Sequence, residues 1–175
     1  MSLPLSPAAP AEYPAIVEMI NAAYRGTGSV PGWTESSFIE GARTTLPLLQ
    51  NELATHPRAV LLTAHSENQA LLGCVWLEPK TDVSWYLGSL AVDPSLQKAG
   101  IGRQILTAAE EWARQRGAQE IRMEVVNIRE TLIAWYLRRG YRLNGETKPF
   151  PYGANRFGKP LRADLCFVVL EKSLV

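Results

Sequence analysis

The residues best suited to chemistry lie in a short loop, residues 97–103, which contains two glycines. The apolar run of residues 87–92 predicts a strand before the loop, and a helical pattern begins inside it. The first N–H groups of a helix lack intrahelical partners and carry partial positive charge, and glycines let the backbone approach a ligand closely. Lys98 and Arg103 add two positive charges. The loop therefore predicts an anion site of the kind that holds a pyrophosphate.

The loop by itself has two interpretations. It is not a Walker A loop, because the Gly-Lys-Ser/Thr ending is missing, and of the G-x-G-x-x-G pattern only Gly100 and Gly102 are present. A tight turn from strand to helix without any ligand would use the same residue types. Both interpretations stay open at this point.

A second motif lies downstream of the loop. Gly117 ends the first helix, and residues 121–126 predict a strand that leads to Asn127. A second helix then carries Tyr136 and ends before Gly140. The two strands are expected to be parallel, because a helix connects them.

The two motifs together resemble the GNAT superfamily of acetyl-CoA-dependent N-acetyltransferases. The family's Gln/Arg-x-x-Gly-x-Gly/Ala motif is matched by Gln97, Gly100 and Gly102. Its second motif, a strand ending in Asn, a helix and Tyr-x-x-x-Gly-Phe/Tyr, is matched by Asn127, Tyr136, Gly140 and Tyr141. The resemblance is strongest over residues 85–145.

The resemblance implies transfer of an acetyl group from acetyl-CoA, bound as the acyl-donor substrate without a metal, to a primary amine. The pyrophosphate would rest on Gln97, Lys98, Ala99, Gly100, Ile101, Gly102 and Arg103. The pantetheine arm would pair with the backbone of Leu90, Ala91 and Val92, an interaction that needs no particular side chain. Asn127 would either hydrogen-bond this arm or cap the next helix.

The resemblance also places Tyr136 opposite the sulfur, where a phenol can give a proton to the leaving thiolate. A core aromatic is the alternative role for Tyr136. Many relatives carry a carboxylate on the strand before the glycine loop, but residues 83–89 contain no acid. Glu78 and Glu124 are the candidate bases, beside a surface role for either and a water chain to a distant acid. A non-catalytic CoA sensor and a transferase for longer acyl groups remain alternatives.

The acceptor, a small-molecule or protein amine, is expected to bind between residues 25–45, the Tyr86 region and residues 147–163. Arg25, Trp33, Tyr86 and Glu124 are the candidate contacts, and Glu35 and Arg43 stand out nearby. Residues 138–162 hold seven basic residues against one acid, which predicts either a solvated face with contacts to CoA phosphates or attraction of an anionic acceptor. Residues 147–163 combine three prolines with three aromatics, so this segment should be ordered over the acceptor cleft or against a second subunit in a homodimer.

Length and composition favour one ordinary globular domain over residues 1–175. A net charge of +1 gives no case for a nucleic-acid binder. Cys74 and Cys166 lie in apolar runs and are expected to be buried thiols rather than a disulfide or metal pair. The sequence has two histidines and no Cys/His cluster, so a structural zinc site is not expected. The N-terminus lacks a signal-peptide pattern and no apolar run could span a membrane, so a cytoplasmic protein is expected.

The remaining elements complete an α/β (α+β) fold. Helices are predicted from residue 10 to 24, from the N-cap Thr34 through Phe38 and Ile39, and before Pro57. Further strands are predicted at residues 3–6, 59–64, 71–77, 83–92, 141–146 and 164–170. This order predicts a single mixed, mostly antiparallel sheet of about seven strands with helices on both faces. The resemblance implies that the central parallel pair splays apart.

Overall fold

The computed structural model describes residues 3–26, 34–97 and 99–175. Its helices are α1 (Tyr13–Arg25), α2 (Leu46–Thr55), α3 (Ile101–Arg114) and α4 (Glu130–Leu137). Its strands are β1 (Ser6–Pro7), β2 (Ile39–Glu40), β3 (Val60–His65), β4 (Leu71–Pro79), β5 (Ser84–Val92), β6 (Glu120–Val126), β7 (Arg142–Pro149), β8 (Lys159–Pro160) and β9 (Cys166–Ser173).

Seven strands form the main sheet in the order β1-β3-β4-β5-β6-β9-β7. Within the described residues, β5 and β6 are its parallel pair, and every other neighbouring pair is antiparallel. The helix α3 connects the parallel strands, as its sequence position requires. The predicted mixed, mostly antiparallel sheet of about seven strands is therefore confirmed.

Strand alternation sends neighbouring side chains to opposite faces of the sheet, and each face has its own core. On β3, Leu62 joins the larger core with α3 and α4, while Leu61 packs with α1 and α2. On β4, Val75 and Cys74 divide in the same way. Helices therefore cover both faces, and each core is built from the period-two pattern of the strands.

The parallel pair β5 and β6 separates at the middle of the sheet. Its register runs only from Ser84 opposite Glu120 to Tyr86 opposite Arg122. Beyond that point β5 carries an irregularity against β4, where Ser89 takes a left-handed φ of 48°. A bulge bends its strand and increases the local twist. The implied splay is present, and it opens the space in which the candidate site lies.

The helix predicted from Thr34 does not form. Residues 34–38 make turns and Ile39–Glu40 is a short strand, β2. Gly41 follows with φ 95°, a conformation incompatible with a continuing helix. Phe38 and Ile39 are buried in a third core with residues from the end of the chain. That non-local burial overrides the weak local helix signal.

A long connection, residues 150–165, joins β7 to β9, and we call it the strap. Its short strand β8 pairs with β2, and the Leu161 N–H donates to the Phe38 carbonyl at 2.8 Å. Phe150 packs against Phe157 and Phe167 with ring centroids 6.5 and 5.5 Å apart. The sequence-based expectation of an ordered segment is confirmed, since the strap is fixed at both its backbone and its aromatic side chains.

Other differences from the sequence-based elements concern their ends. The first strand is Ser6–Pro7 rather than residues 3–6. The strands β7 and β9, predicted at residues 141–146 and 164–170, each end three residues later than predicted. The N-cap of α2 is Thr45, whose side chain accepts from the Leu48 N–H. Over the described part of the chain, no helix is long and apolar enough to cross a bilayer.

Candidate functional site

Two cavities meet where β5 and β6 separate. One has a volume of about 290 Å³ and lies over the glycine loop, and we call it the donor cavity. The other, of about 440 Å³, lies between β5, β6 and the strap, and we call it the acceptor cavity. Both cavities are lined by the same five residues at their junction: Tyr24, Leu90, Arg129, Leu132 and Tyr136. A molecule that fills both cavities must pass this junction.

The glycine loop forms one end of the donor cavity. Gly100 is the N-cap of α3 with φ 76°, and a Cβ atom there would meet nothing within 4 Å. Gln97, Arg103 and Arg139 also line this cavity. Within the described residues, Gln97 Oε1 and Arg139 Nε are buried without a hydrogen-bond partner. Buried polar atoms normally have partners, so these two atoms suit a polar ligand such as acetyl-CoA.

The backbone of β5 lines the donor cavity at Leu90, Ala91 and Val92. Pairing with β6 stops at Tyr86, so the edge of β5 that faces β6 lacks a ladder partner along these three residues. Backbone groups in such a position require partners of another kind. The amides of a pantetheine arm would supply them, as the sequence predicts.

Several predicted contacts to acetyl-CoA do not line the donor cavity. Lys98 lies outside the described residues, Ala99 is exposed, and Ile101 packs against the larger core. Asn127 neither lines the cavity nor caps α4, whose N-cap is Arg129. Its side chain instead donates to the Asp164 carbonyl and accepts from the Cys166 N–H, each at 3.1 Å. It thereby fixes the end of the strap, although its predicted role toward pantetheine stays a prediction.

Tyr136 lies at the junction of the cavities with only 5% of its surface exposed. Its ring makes edge contacts with Trp135 and Tyr141 at centroid distances of 5.1 and 5.6 Å. Burial raises the pKa of Tyr136 well above its usual value, so the phenol keeps its proton at neutral pH. Tyr136 is therefore a core aromatic that also lines both cavities, and its role as a proton donor stays a prediction.

Alkaline pH should destabilise the fold through its buried tyrosines. Burial raises the pKa of Tyr86 to about 12, and it also raises the pKa values of Tyr136 and Tyr141. Above pH 10 the unfolded chain loses these protons and the folded chain keeps them, so the free energy of unfolding falls. The expected slope is about 1.4 kcal/mol per pH unit for each tyrosine.

Urea denaturation at pH 9, 10 and 11 measures this slope. The substitution Tyr136→Phe should make it shallower by about 1.4 kcal/mol per pH unit above pH 10. Tyr152 is exposed, so Tyr152→Phe is the matched control and should leave the slope as it is. Equal slopes for the parent and Tyr136→Phe would contradict the assignment.

A buried ion-pair network stands beside the acceptor cavity. Glu35 Oε1 lies 3.2 Å from a guanidinium nitrogen of Arg25, and Glu35 Oε2 lies 3.5 Å from a guanidinium nitrogen of Arg129. The three side chains are each 6% exposed. Arg25 also donates to the Gly41 carbonyl at 2.9 Å and to the Phe157 carbonyl in the strap. Arg25 does not line the acceptor cavity, so the predicted substrate contact is placed as a tether between α1, the β2 segment and the strap.

Two predicted acidic residues have different positions. Glu124 lines the acceptor cavity, and its Oε1 lies 2.5 Å from Lys148 Nζ. Glu78 does not line it, and its Oε2 contacts Lys80 Nζ at 3.0 Å and the Trp76 indole N–H at 3.4 Å. The geometry therefore favours Glu124 over Glu78 for contact with a ligand.

The remaining predicted acceptor contacts also differ in their placement. Tyr86 lines the acceptor cavity, whereas Trp33 lies outside the described residues. Tyr24 and Arg129 were not predicted, although both line the two cavities. Tyr24 follows the apolar spacing of α1 and therefore resembles a core residue in the sequence. The Tyr24 hydroxyl donates to the Leu90 carbonyl at 3.3 Å.

The basic segment, residues 138–162, is largely paired with acids from elsewhere. Its ion pairs join Arg142 to Glu171, Lys148 to Glu124, Arg156 to Glu52 and Arg162 to Asp164. Arg139 lines the donor cavity, and its guanidinium stacks on Trp135 at 3.9 Å. The segment is thus mostly a set of ion pairs, with Arg139 placed toward the donor cavity and Lys148 toward the acceptor cavity.

Comparisons with known proteins agree with this arrangement. Residues 15–141 match the model of the acetyltransferase (GNAT) family. A ribosomal-protein-alanine N-acetyltransferase from Brucella melitensis has 21% identity and a TM-score of 0.69, over 98% of this chain and 99% of that one. The PaiA N-acetyltransferase from Thermoplasma acidophilum, in complex with coenzyme A, has 17% identity and a TM-score of 0.71, over 99% of each chain.

An aminoglycoside 6′-N-acetyltransferase complexed with coenzyme A has 17% identity and a TM-score of 0.67. That match covers 99% of this chain and 98% of the other chain. No curated protein sequence matched the chain in the comparison. At these identities the structural similarities establish the fold alone.

Proposed function

Because the chain belongs to the GNAT family of acetyltransferases, we propose that it transfers the acetyl group of acetyl-CoA directly to a primary amine in the acceptor cavity. The observation that carries the proposal is the junction of the two cavities at Tyr136. Acetyl-CoA, bound as substrate, supplies the activated acetyl group. The donor cavity holds its phosphates and pantetheine arm, and the amine approaches from the acceptor cavity.

The residues of the donor cavity bind and orient. The backbone N–H groups at the start of α3 and the side chain of Arg103 favour a pyrophosphate, since both present positive charge. Gln97 Oε1 and the open edge of β5 supply partners for amide groups. These contacts hold the thioester at the junction, which converts transfer into a reaction between positioned groups.

Proton movement involves two side chains at the cavities. Glu124 accepts a proton from the acceptor ammonium, and the neutral amine then adds to the thioester carbonyl to form the new C–N bond. As the C–S bond breaks, the nitrogen loses its second proton, which replaces the proton that Tyr136 gives up. Tyr136 donates its proton to the departing thiolate. Because burial holds the pKa of Tyr136 high, its hydroxyl is protonated and ready to donate throughout the neutral range.

The substitution Glu124→Gln should lower kcat/KM at pH 7 by about 10²-fold, at the low end for a lost general base because solvent can also take the proton. The loss should shrink as pH rises toward the acceptor's own pKa, where the amine arrives neutral. Glu78→Gln is the matched control, since Glu78 lies outside the acceptor cavity. Pre-steady-state and steady-state rates across pH 6–10 would reveal the opposite assignment if Glu78→Gln proved the slower variant.

The proposal itself is tested by a screen of amines for thiol release from acetyl-CoA, with mass spectrometry of the products. A gain of one acetyl group on the amine supports transfer. CoA binding without any acetylated product from a broad panel would favour the alternative of a non-catalytic CoA-binding module. Longer acyl-CoA donors in the same screen test the other alternative.

The acceptor differs among the structural relatives. Two of them are named for the acetylation of alanine of a ribosomal protein and of an aminoglycoside. Both are amines, so an amine acceptor is common to them, but they do not choose between a protein and a small molecule. Cytoplasmic location and a homodimer stay predictions from the sequence.

A further inference from the structure

Arg43 is held at the wall of the acceptor cavity by three residues from two parts of the chain, α1 and the strap. Its backbone N–H donates to Asn21 Oδ1 at 2.8 Å, which fixes the segment to α1. Its guanidinium carbon lies 5.3 Å from the centre of the Tyr24 ring and 4.5 Å from that of Phe157 in the strap. Two aromatic faces therefore position this cation.

The Arg43 guanidinium has no acid of its own within the described residues. Neighbouring cations are paired with acids, since Arg25 and Arg129 share Glu35 and Lys148 contacts Glu124. A guanidinium offers five N–H donors in a fixed fork, and a planar carboxylate accepts two of them at once. Stacked on two rings and facing a cavity, Arg43 is thus arranged to bind an anion that comes from outside the chain.

An acid faces the same space. Glu124 lines the acceptor cavity, Lys148 contacts its Oε1, and its Oε2 has no partner in the described part of the chain. Tyr86 lies within electrostatic reach of both charges: burial raises its pKa, Glu124 raises the pKa further, and Arg43 opposes that rise. The cavity therefore presents a carboxylate and a guanidinium around one tyrosine.

Building on the proposed acetyl transfer, we infer that the acceptor is a free amino acid, with its ammonium at Glu124 and its carboxylate on Arg43. Arg43 contacts the ring of Tyr24, which belongs to the junction of the cavities, so an anion bound there lies close to the reacting amine. The acceptor must therefore carry an anionic group close to its amine. A free amino acid does so, because its ammonium and its carboxylate are attached to the same carbon. The volume of about 440 Å³ falls within the range of small-molecule sites, about 300–1,000 Å³.

The rest of the wall of the acceptor cavity indicates that the amino acid has an apolar or aromatic side chain. Phe150, Phe157 and Phe167 also line the cavity, with ring centroids within 6.5 Å of one another. Burying an apolar side chain of the ligand against such a surface lowers the free energy of the complex. A polyamine would place further positive charge beside Arg43, Arg129 and Lys148, and a peptide N-terminus has no carboxylate next to its amine.

Three probes with the same ring and amine separate these possibilities: L-phenylalanine, L-phenylalaninamide and phenethylamine. L-leucine, L-leucinamide and isoamylamine form a second set. Calorimetry on the protein saturated with CoA measures binding without turnover. We expect each amino acid to bind about 10- to 10²-fold more tightly than its amide or decarboxylated partner, the worth of a charge-assisted hydrogen bond.

The substitution Arg43→Gln removes the charge and keeps much of the side-chain length. It should bring the ratio of affinities for phenylalanine and phenethylamine close to one, and Arg43→Lys should restore part of the preference. Arg58 is an exposed arginine outside the cavity, so Arg58→Gln is the matched control and should retain the parental ratio. CoA affinity measured on each variant confirms that the donor cavity is intact.

The outcomes distinguish this inference from the function on which it rests. Tight amino-acid binding without acetylated product would uphold the amino acid as the ligand of Arg43 and Glu124 and would overturn the proposed acetyl transfer. Acetylation of phenethylamine or phenylalaninamide at rates equal to phenylalanine upholds the transfer and overturns the acceptor class. Absence of binding in both probe sets also overturns it, and the parent protein decides the matter even if Arg43→Gln does not fold.

Discussion

Replacing Tyr136 with Phe is expected to lower kcat by about 10²- to 10⁴-fold, the usual contribution of a positioned proton donor. The ring remains, so the edge contacts with Trp135 and Tyr141 persist and the fold should be retained. Only the hydroxyl at the junction of the two cavities is lost. Acetyl-CoA affinity should change little, because the residues proposed to contact its phosphates and pantetheine arm lie elsewhere in the donor cavity.

Tyr141→Phe is the matched control for this variant. Tyr141 is buried beside Tyr136, but its hydroxyl donates to Glu110 Oε1 at 2.9 Å and it lines neither cavity. Its loss should lower the free energy of unfolding by about 1–3 kcal/mol, because a buried acceptor loses its donor, and should leave kcat near the parental value. A Tyr136→Phe variant with parental kcat would reduce Tyr136 to a core aromatic.

Substituting Gly100 with Asp is expected to weaken acetyl-CoA binding by about 10²- to 10³-fold. A Cβ atom at this N-cap meets no other group within 4 Å, so the side chain has space. The φ of 76° strains any side chain, but Asp visits this left-handed region, so the fold should tolerate the change at a cost in stability. The new carboxylate would face the pyrophosphate, and two like charges about 4 Å apart repel by about 4 kcal/mol near a protein surface.

Gly100→Asn separates charge from backbone strain. Asn and Asp have the same shape, and both visit the left-handed region that Gly100 occupies at φ 76°. Calorimetry with CoA should give the Asn variant an affinity much nearer the parent than the Asp variant. The CoA affinity of the parent should also fall more steeply with added salt than that of the Asp variant, because ions screen the attraction of the parent loop to the phosphates. Equal affinities for the two variants would remove the pyrophosphate from this loop.

Local sequence patterns were sufficient for most elements of the main sheet and for the glycine-loop side of the donor cavity. The glycine loop, the start of α3 and the period-two strands are defined by hydrogen bonds and side-chain spacing between residues close in the chain. The order strand, helix, strand then required β5 and β6 to be parallel. Gly100 and Gly102 could be predicted as an anion site from this local order, whereas the role predicted for Tyr136 came from the resemblance to the GNAT motif.

Local patterns failed where burial depends on distant partners. The segment after Thr34 has residues acceptable in a helix, yet β2 forms there because Ile39 pairs with Pro160 and Phe38 packs against the end of the chain. Glu78 and Glu124 were equal candidates in the sequence. Strand register and the separation of β5 from β6 decided that only Glu124 reaches the acceptor cavity.

The acceptor cavity is the part that only the tertiary structure determined. Its charged wall combines Arg43 after β2, Glu124 on β6 and Lys148 on β7, and the strap closes it with Phe157. No local spacing relates these residues, since their meeting depends on the pairing of β2 with β8 and on the bulge at Ser89. The sequence by itself predicted the side of the donor cavity formed by β5, the glycine loop and α3, because that side is one continuous strand, loop and helix. The acceptor site is decided by the packing of segments that lie far apart in the chain.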